Sequence, residues 1–265
     1  MLSKLQIENY LSRIKVEPKF ASKLDLLIAL HESHLKYIPF ENLDIALNRK
    51  IELKRNSIFD KVIGDLRGGF CYELNYCFYL LLVSLGFKVS LISGRVFDGK
   101  EYGDEFDHLL LLVDINAKLF IADVGFGDSF LTPLKLNGSE LKERYSSFRV
   151  TKDSKNYLLQ RKAISANWEP QYSFSVIPRT LSDFEPMAEF HQASPKSPFT
   201  NKSTCTIATQ SGRVTISNKK LITAINNKKS EQTIINSEQY YQYLNDYFCI
   251  KLCDNNSLFK KLSND

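Results

Sequence analysis

Apolar residues in the first part of the chain recur at helical spacing. Leu24, Leu27, Ile28 and Leu35 predict a helix over 24–35. Asn56 and Ser57 lead into a short helix over 58–63. The strongest pattern covers 71–85, where Leu74, Cys77, Phe78, Leu81, Leu82 and Leu85 share one face and Gly86 stops the run. From Lys88 the pattern becomes strand-like. Segments 89–96, 108–114 and 119–124 read as strands, the last two joined around Asn116 as a hairpin. Further short strands are expected at 148–150, 157–161, 171–177, 205–208 and 213–216, and a closing helix at 237–248. Helices first and strands second, without regular βαβ alternation, predict an α+β fold. Breaks lie near Gly86 and over 178–185, and Ser194-Pro-Lys-Ser-Pro-Phe is a breaker cluster.

Composition narrows the classes. The 265 residues are 43% hydrophobic and 25% charged, which fits a folded globular chain. The net charge of +5 is partly gathered in short clusters such as Lys219-Lys220 and Lys228-Lys229, not in an aromatic-interleaved stripe. Nucleic acid is therefore set aside, while a small polyanionic partner remains compatible with the field. The start lacks the apolar core of a signal peptide, and the longest apolar stretch, 109–113, is far shorter than the ~18 residues of a membrane span. Five cysteines (Cys71, Cys77, Cys205, Cys249, Cys253) form no CxxC and are odd in number. They predict a reduced, cytoplasmic setting without a disulfide framework. No metal is called for.

The most informative stretch is Arg67-Gly68-Gly69-Phe70-Cys71-Tyr72-Glu73-Leu74-Asn75. Two glycines permit a tight turn just before a helix. Cys71 then falls in the first helical turn, where unpaired N–H groups and the dipole favour a thiolate and could hold an oxyanion. A buried structural cysteine is the alternative. Cys77, on the apolar face, reads as core.

A thiolate needs a base, and the base needs an orienting acceptor. Of the four histidines, His31 and His34 read as surface or capping residues and His191 as a loop residue. His108 stands at the mouth of the strand Leu109-Leu-Leu-Leu-Val. Asp123 interrupts the apolar run of the next strand, where a charge is costly unless paired. The hairpin brings Asp123 back beside His108, although a satisfied strand-end histidine and an Asx turn before Gly125 remain the bland readings. Asp107 should point to the opposite face.

These residues resemble the arylamine N-acetyltransferase family. Arg67-Gly-Gly-Phe-Cys-Tyr-Glu-Leu-Asn is similar to the family's nucleophile motif, and Ile38-Pro-Phe-Glu-Asn-Leu-Asp to its upstream signature. Asp107-His108-Leu-Leu-Leu and Ala122-Asp123-Val-Gly-Phe-Gly resemble its histidine and aspartate motifs, and segments 179–187 and 194–200 resemble a downstream stretch. The resemblance spans roughly residues 5–216 and implies a helical bundle (1–87), a β-barrel (88–178) and an α/β lid (179–265) around a cysteine-protease-like Cys-His-Asp core.

The resemblance further implies ping-pong transfer from acetyl-CoA to aromatic amines or hydrazines. Cys71 would be nucleophile, His108 base and Asp123 its orienter. Phe40, Phe126 and Phe130 would contact the acceptor, with Asp107 beside them, and Asp128 would place negative charge at the mouth and favour cationic acceptors. Thr200 and Thr206 would contact CoA, and Glu41 and Arg67 would form an ion pair behind the nucleophile. Rival readings are a cysteine hydrolase, an amide synthase or transferase using propionyl- or malonyl-CoA, and a silent binding module. Acceptor identity and oligomeric state are not legible.

Overall fold

The structure, a computed structural model, describes residues 1–226, 228–252 and 257–262. Helices are α1 (Lys4–Ile14), α2 (Lys23–Tyr37), α3 (Leu43–Ala46), α4 (Arg55–Phe59), α5 (Cys71–Ser84), α6 (Glu185–Ala193), α7 (Pro198–Asn201), α8 (Ser237–Phe248) and α9 (Ser257–Lys261). Strands are β1 (Phe40–Glu41), β2 (Lys88–Val96), β3 (His108–Ile115), β4 (Lys118–Ala122), β5 (Leu134–Lys135), β6 (Leu141–Lys142), β7 (Ser146–Asp153), β8 (Asn156–Ala163), β9 (Glu169–Phe174), β10 (Thr204–Thr209), β11 (Gly212–Ser217), β12 (Lys220–Ile225) and β13 (Lys228–Thr233).

Two antiparallel sheets organise the strands. The larger has the order β5-β4-β3-β2-β9-β8-β7-β6 and curls until β5 touches β7, giving a nearly closed barrel. Its interior is filled by Ile92, Leu110, Ile121, Phe130, Phe148, Leu159 and Tyr172. The alternate residues Leu109, Leu111 and Val113 face outward onto α5, whose Leu74, Phe78, Leu81 and Leu82 are fully buried. Each such side chain contributes roughly 1.5–3 kcal/mol relative to exposure. That packing fixes the helix N-terminus, and with it Cys71, over the end of the barrel where β3 begins. The fold is α+β, as the helix-then-strand pattern predicts.

The smaller sheet runs β1-β10-β11-β12-β13. Its edge strand β1 comes from the helical segment, with Phe40 opposite Thr206 and Glu41 opposite Cys205. Strands β12 and β13 lie outside the pattern-based expectations. All of β13 is exposed, so its Lys-Lys-Ser-Glu-Gln-Thr sequence carries no apolar alternation to read. The predicted closing helix keeps its bounds as α8. Helix α1 was also not anticipated, although Ser3 and Gln6 form a reciprocal capping box at its start. The cysteine reading at Cys253 lies outside the described residues. No helix among the described residues is long and apolar enough to cross a membrane.

Candidate active site

Cys71 is the first residue of α5, preceded by Phe70 in extended backbone. The Glu73 carboxylate accepts the Phe70 N–H at 3.2 Å and so caps the turn. The first-turn N–H groups have no partner one turn back within the helix. The two glycines before Cys71 are required by close approach, not by left-handed backbone. A Cβ on Gly68 would lie 2.0 Å from the Pro39 carbonyl oxygen, and one on Gly69 would lie 2.7 Å from the Glu73 side chain. Here Gly69 accepts the Glu41 N–H at 2.9 Å, which ties the turn before Cys71 to β1.

His108 opens β3 opposite Gly94, and Asp123 follows the end of β4. His108 Nε2 and Asp123 Oδ2 are 2.7 Å apart, both side chains being almost wholly buried. The other ring nitrogen is left for Cys71. Burial opposes charge on His108, but the Asp123 carboxylate, its hydrogen bond and the Cys71 thiol push the imidazole up to about 10. Burial likewise opposes the Asp123 carboxylate. His108, Asn75 and the Gly125 N–H outweigh it and hold that group below the usual carboxylate range.

Asp123 is surrounded by donors that the sequence reading missed. Asn75 Nδ2 donates to Oδ1 at 2.9 Å, the Gly125 N–H donates to the same oxygen at 3.0 Å, and the Tyr172 hydroxyl donates to Oδ2 at 2.9 Å. Asn75 lies one turn beyond Cys71 inside the quoted motif, so its spacing was the available signal. His31, expected at the surface, is fully buried. Its Nε2 accepts the Asp123 N–H at 3.0 Å and its Nδ1 donates to the Leu131 carbonyl at 2.7 Å. Those two bonds select one neutral tautomer, and burial lowers the imidazole to about 4. His34 is buried too, 2.7 Å from the Tyr10 hydroxyl. Both histidines continue the Leu27, Leu30 face of α2, a helical pattern that residue type alone concealed.

Beneath the turn before Cys71, Arg67 Nη2 lies 2.8 Å from Glu41 and 3.2 Å from Asp44. Lys61 Nζ joins the same group, 2.8 Å from Asp44 and 2.9 Å from Glu73. The expected Glu41–Arg67 pair is thus part of a five-residue network. Burial opposes charge on Lys61 and Arg67, but the surrounding carboxylates raise both well above their ordinary values.

A cavity of about 670 Å³ opens over Cys71 and His108, with Phe40, Phe126 and Phe199 among its walls. Asp107 lines it as well, where the resemblance puts it and not where strand alternation alone would turn it. Phe106 adopts a left-handed φ of 70°, and β3 begins only at His108, so the strand alternation does not reach Asp107. His191, expected in a loop, lies in α6, is 2% exposed and lines the cavity.

Four expected site residues do not line this cavity. Asp128 is held by Arg161 at 2.9 Å and Arg213 at 3.2 Å and lines a separate cleft, so its charge is neutralised outside the Cys71 cavity. Phe130 is fully buried in the barrel core and stacks on His31 with ring centroids 5.5 Å apart. Thr200 donates to the Ser194 and Ser197 carbonyls and lines an adjoining cleft that shares Phe199 with the main cavity. The Thr206 hydroxyl is engaged by Thr215 and Arg213 within the small sheet. No group of three metal-ligating side chains occurs among the described residues.

A buried Cys–His–Asp line at a helix N-terminus can generate a thiolate, accept an acyl group and shuttle one proton. Comparison with known proteins agrees in class. The chain is 34% identical over 231 residues to arylamine N-acetyltransferase 2 of Mus musculus, covering 78% of this chain and 79% of the relative. The arylamine N-acetyltransferase of Salmonella typhimurium superposes with a TM-score of 0.89 at 25% identity, covering 98% of each chain. An arylamine N-acetyltransferase of Bacillus cereus with a Cys-His-Glu catalytic triad superposes with a TM-score of 0.87 at 25% identity, covering 95% of this chain and all of that one. The N-acetyltransferase family model matches residues 23–257, and the chain belongs to the arylamine N-acetyltransferase family.

Proposed function

We propose that this enzyme transfers an acetyl group from acetyl-CoA to an aromatic amine or hydrazine by a ping-pong route through Cys71. The observation that carries the reading is the 2.7 Å His108–Asp123 contact beside Cys71, in one cavity with aromatic walls. The Cys71 thiolate attacks the thioester carbonyl, and the first-turn N–H groups of α5 receive the oxyanion. The carbon–sulfur bond to CoA breaks, and CoA leaves as a thiol with the proton from His108. The amine nitrogen then attacks the acetyl-cysteine, His108 takes its proton, and the Cys71 thiolate leaves. Asp123 keeps the imidazole oriented throughout. Phe40 and Phe126 supply apolar faces for a flat acceptor. Lys196 at the cavity, and Lys202 and Lys261 beside Thr200 in the adjoining cleft, offer cations for the phosphates of CoA. A reducing, cytoplasmic setting suits a thiolate nucleophile.

The test is the intact mass of wild type and Cys71→Ala after brief exposure to acetyl-CoA without acceptor. One acetyl group on wild type alone, discharged by an added arylamine as the N-acetyl product, supports the reading. Discharge to acetate at the same rate without amine would instead indicate a hydrolase, and no adduct would direct attention to another acyl donor.

A further inference from the structure

Part of the cavity lining is acidic. Among the described residues that line it, Asp98, Glu101, Asp104 and Asp107 face a single lysine, Lys196. That sign is opposite to the +5 of the whole chain. Glu101 and Asp104 are exposed at the rim and make no ion pair among the described residues. Asp107 lies deeper, with a side chain 18% exposed. Its Oδ2 accepts the Val96 N–H at 3.1 Å, and the Tyr72 hydroxyl donates to its carbonyl at 3.2 Å. The carboxylate is therefore held in place and not free to swing to solvent.

A second observation points to a ligand at this wall. His191 Nδ1 is 3.1 Å from the Ser197 hydroxyl, which fixes the ring. Its Nε2 comes within 3.1 Å of Asp107 Oδ1 but out of line, so this buried nitrogen has no hydrogen-bond partner. Buried polar atoms are rarely left in that state unless something else satisfies them. Neither Asp107 nor His191 has a part in the proposed proton shuttle. Together they form a buried polar pole in the cavity that also holds the rings of Phe40, Phe126 and Phe199.

We infer that this pole, with Asp107 at its centre, selects acceptors that carry a cationic group remote from the reacting nitrogen, such as an amidine, guanidine or second ammonium on an aryl ring. The ring lies along Phe40 and Phe126, the cation is bound by Asp107, and Glu101 and Asp104 draw it in from solvent. The inference names the acceptor class for the transfer reaction proposed above and rests on that reading for its biological meaning. It takes the role expected of Asp128 and gives it to a different wall.

The experiment titrates the full-length chain with benzamidine, benzamide and benzoate, which share a ring and differ in charge. Affinity is read by calorimetry, and occupancy of the cavity by protection of Cys71 from iodoacetamide. Benzamidine is expected to bind about tenfold tighter than benzamide, with benzoate weakest. Asp107→Asn is expected to bring the benzamidine-to-benzamide ratio close to one. The exposed double variant Glu101→Gln/Asp104→Asn, which disturbs no buried bond, is expected to narrow the ratio partway. Equal affinity of the wild type for benzamidine and benzamide, or benzamidine binding that leaves Cys71 unprotected, overturns the inference. None of these readouts needs turnover. An enzyme that never forms an acetyl adduct would defeat the transfer reading alone, and an acetylated enzyme indifferent to charge would defeat this one alone.

Discussion

Asn75 joins the helix that begins at Cys71 directly to Asp123. Its Nδ2 donates to Asp123 Oδ1 at 2.9 Å and to the Leu109 carbonyl at 2.7 Å, while its Oδ1 accepts the Val124 N–H at 2.9 Å. One fully buried amide thus satisfies the start of β3, the end of β4 and the carboxylate between them. Close packing adds to the constraint, because a Cβ on Gly125 would lie 2.6 Å from Asn75 Nδ2 and 2.8 Å from Cys71 Cα.

Asn75→Ala is therefore expected to lose about 1–3 kcal/mol of stability, since the Val124 N–H and Leu109 carbonyl are left buried without partners. It is also expected to lower turnover by loosening Asp123 and hence His108. Urea unfolding and steady-state kinetics check both effects. Unchanged stability would mean that water fills the gap and that the amide is not the structural link described.

His31 makes the fold acid-sensitive in a defined window. Its imidazole is held at about 4 by burial, against about 6.5 in an unfolded chain. Between those values the unfolded state binds the extra proton and the native state does not. Stability is then lost as pH falls from about 6.5 to about 4 and levels off below, a loss on the order of 3 kcal/mol from this residue. His31→Gln, which retains a donor and an acceptor but does not titrate, is expected to flatten that part of the stability–pH curve. An equal acid slope in the variant would assign the loss to other groups.

The proposed catalytic line is legible because its three members each break a local pattern. Cys71 follows a glycine turn, His108 opens an apolar strand, and Asp123 interrupts another. The supporting residues break no pattern. His31 and His34 continue the face of α2 as apolar residues would, and Lys61 and Asp44 look like ordinary surface charges until the fold buries them. Residues carried over by motif position alone fared according to strand geometry. Phe126 reaches the cavity, where its ring lies 5.3 Å from that of His108. Phe130, four residues on, turns into the barrel, and Asp128 meets arginines from β8 and β11 that sequence spacing could not bring to it.

The His108 imidazole should respond to the loss of Cys71. The Cys71 thiol is one of the groups that push it up to about 10, behind Asp123. Cys71→Ala is expected to lower that value while leaving the histidine above 6.5, because Asp123 remains. Titration of the ring by NMR in both proteins reads this directly. For the wild type, the His108 contribution to stability is complete below about 6.5 and is lost as pH rises through about 10. Asp123, held low, contributes above its unfolded value near 3.9 and loses that contribution as pH falls through its lower folded value. A His108 ring that titrates identically in both proteins would separate the imidazole from the thiol.

The charge network under the turn before Cys71 makes the sharpest stability prediction. Glu41, Asp44 and Glu73 are held by Lys61 and Arg67, with the more exposed Arg49 3.9 Å from Asp44, and Glu41 and Glu73 are buried to within 1%. Removing either cation leaves three clustered carboxylates sharing one buried cation, and breaking one partner of a buried pair typically costs about 3–5 kcal/mol. Arg67→Met strips Glu41 of its nearest partner and is expected to destabilise the fold by that order. Lys61→Met deprives Glu73, whose carboxyl burial already pushes above its usual range, and the acid can respond by taking up a proton. Its cost should therefore be smaller below neutral pH and larger above it, whereas the Arg67 variant should remain impaired throughout. Denaturant unfolding of both variants from pH 5 to 9 distinguishes these behaviours. Equal, pH-independent losses would mean that Glu73 stays ionised without Lys61. In that case the Phe70 N–H that caps α5 through Glu73 would suffice to hold the charge beneath Cys71.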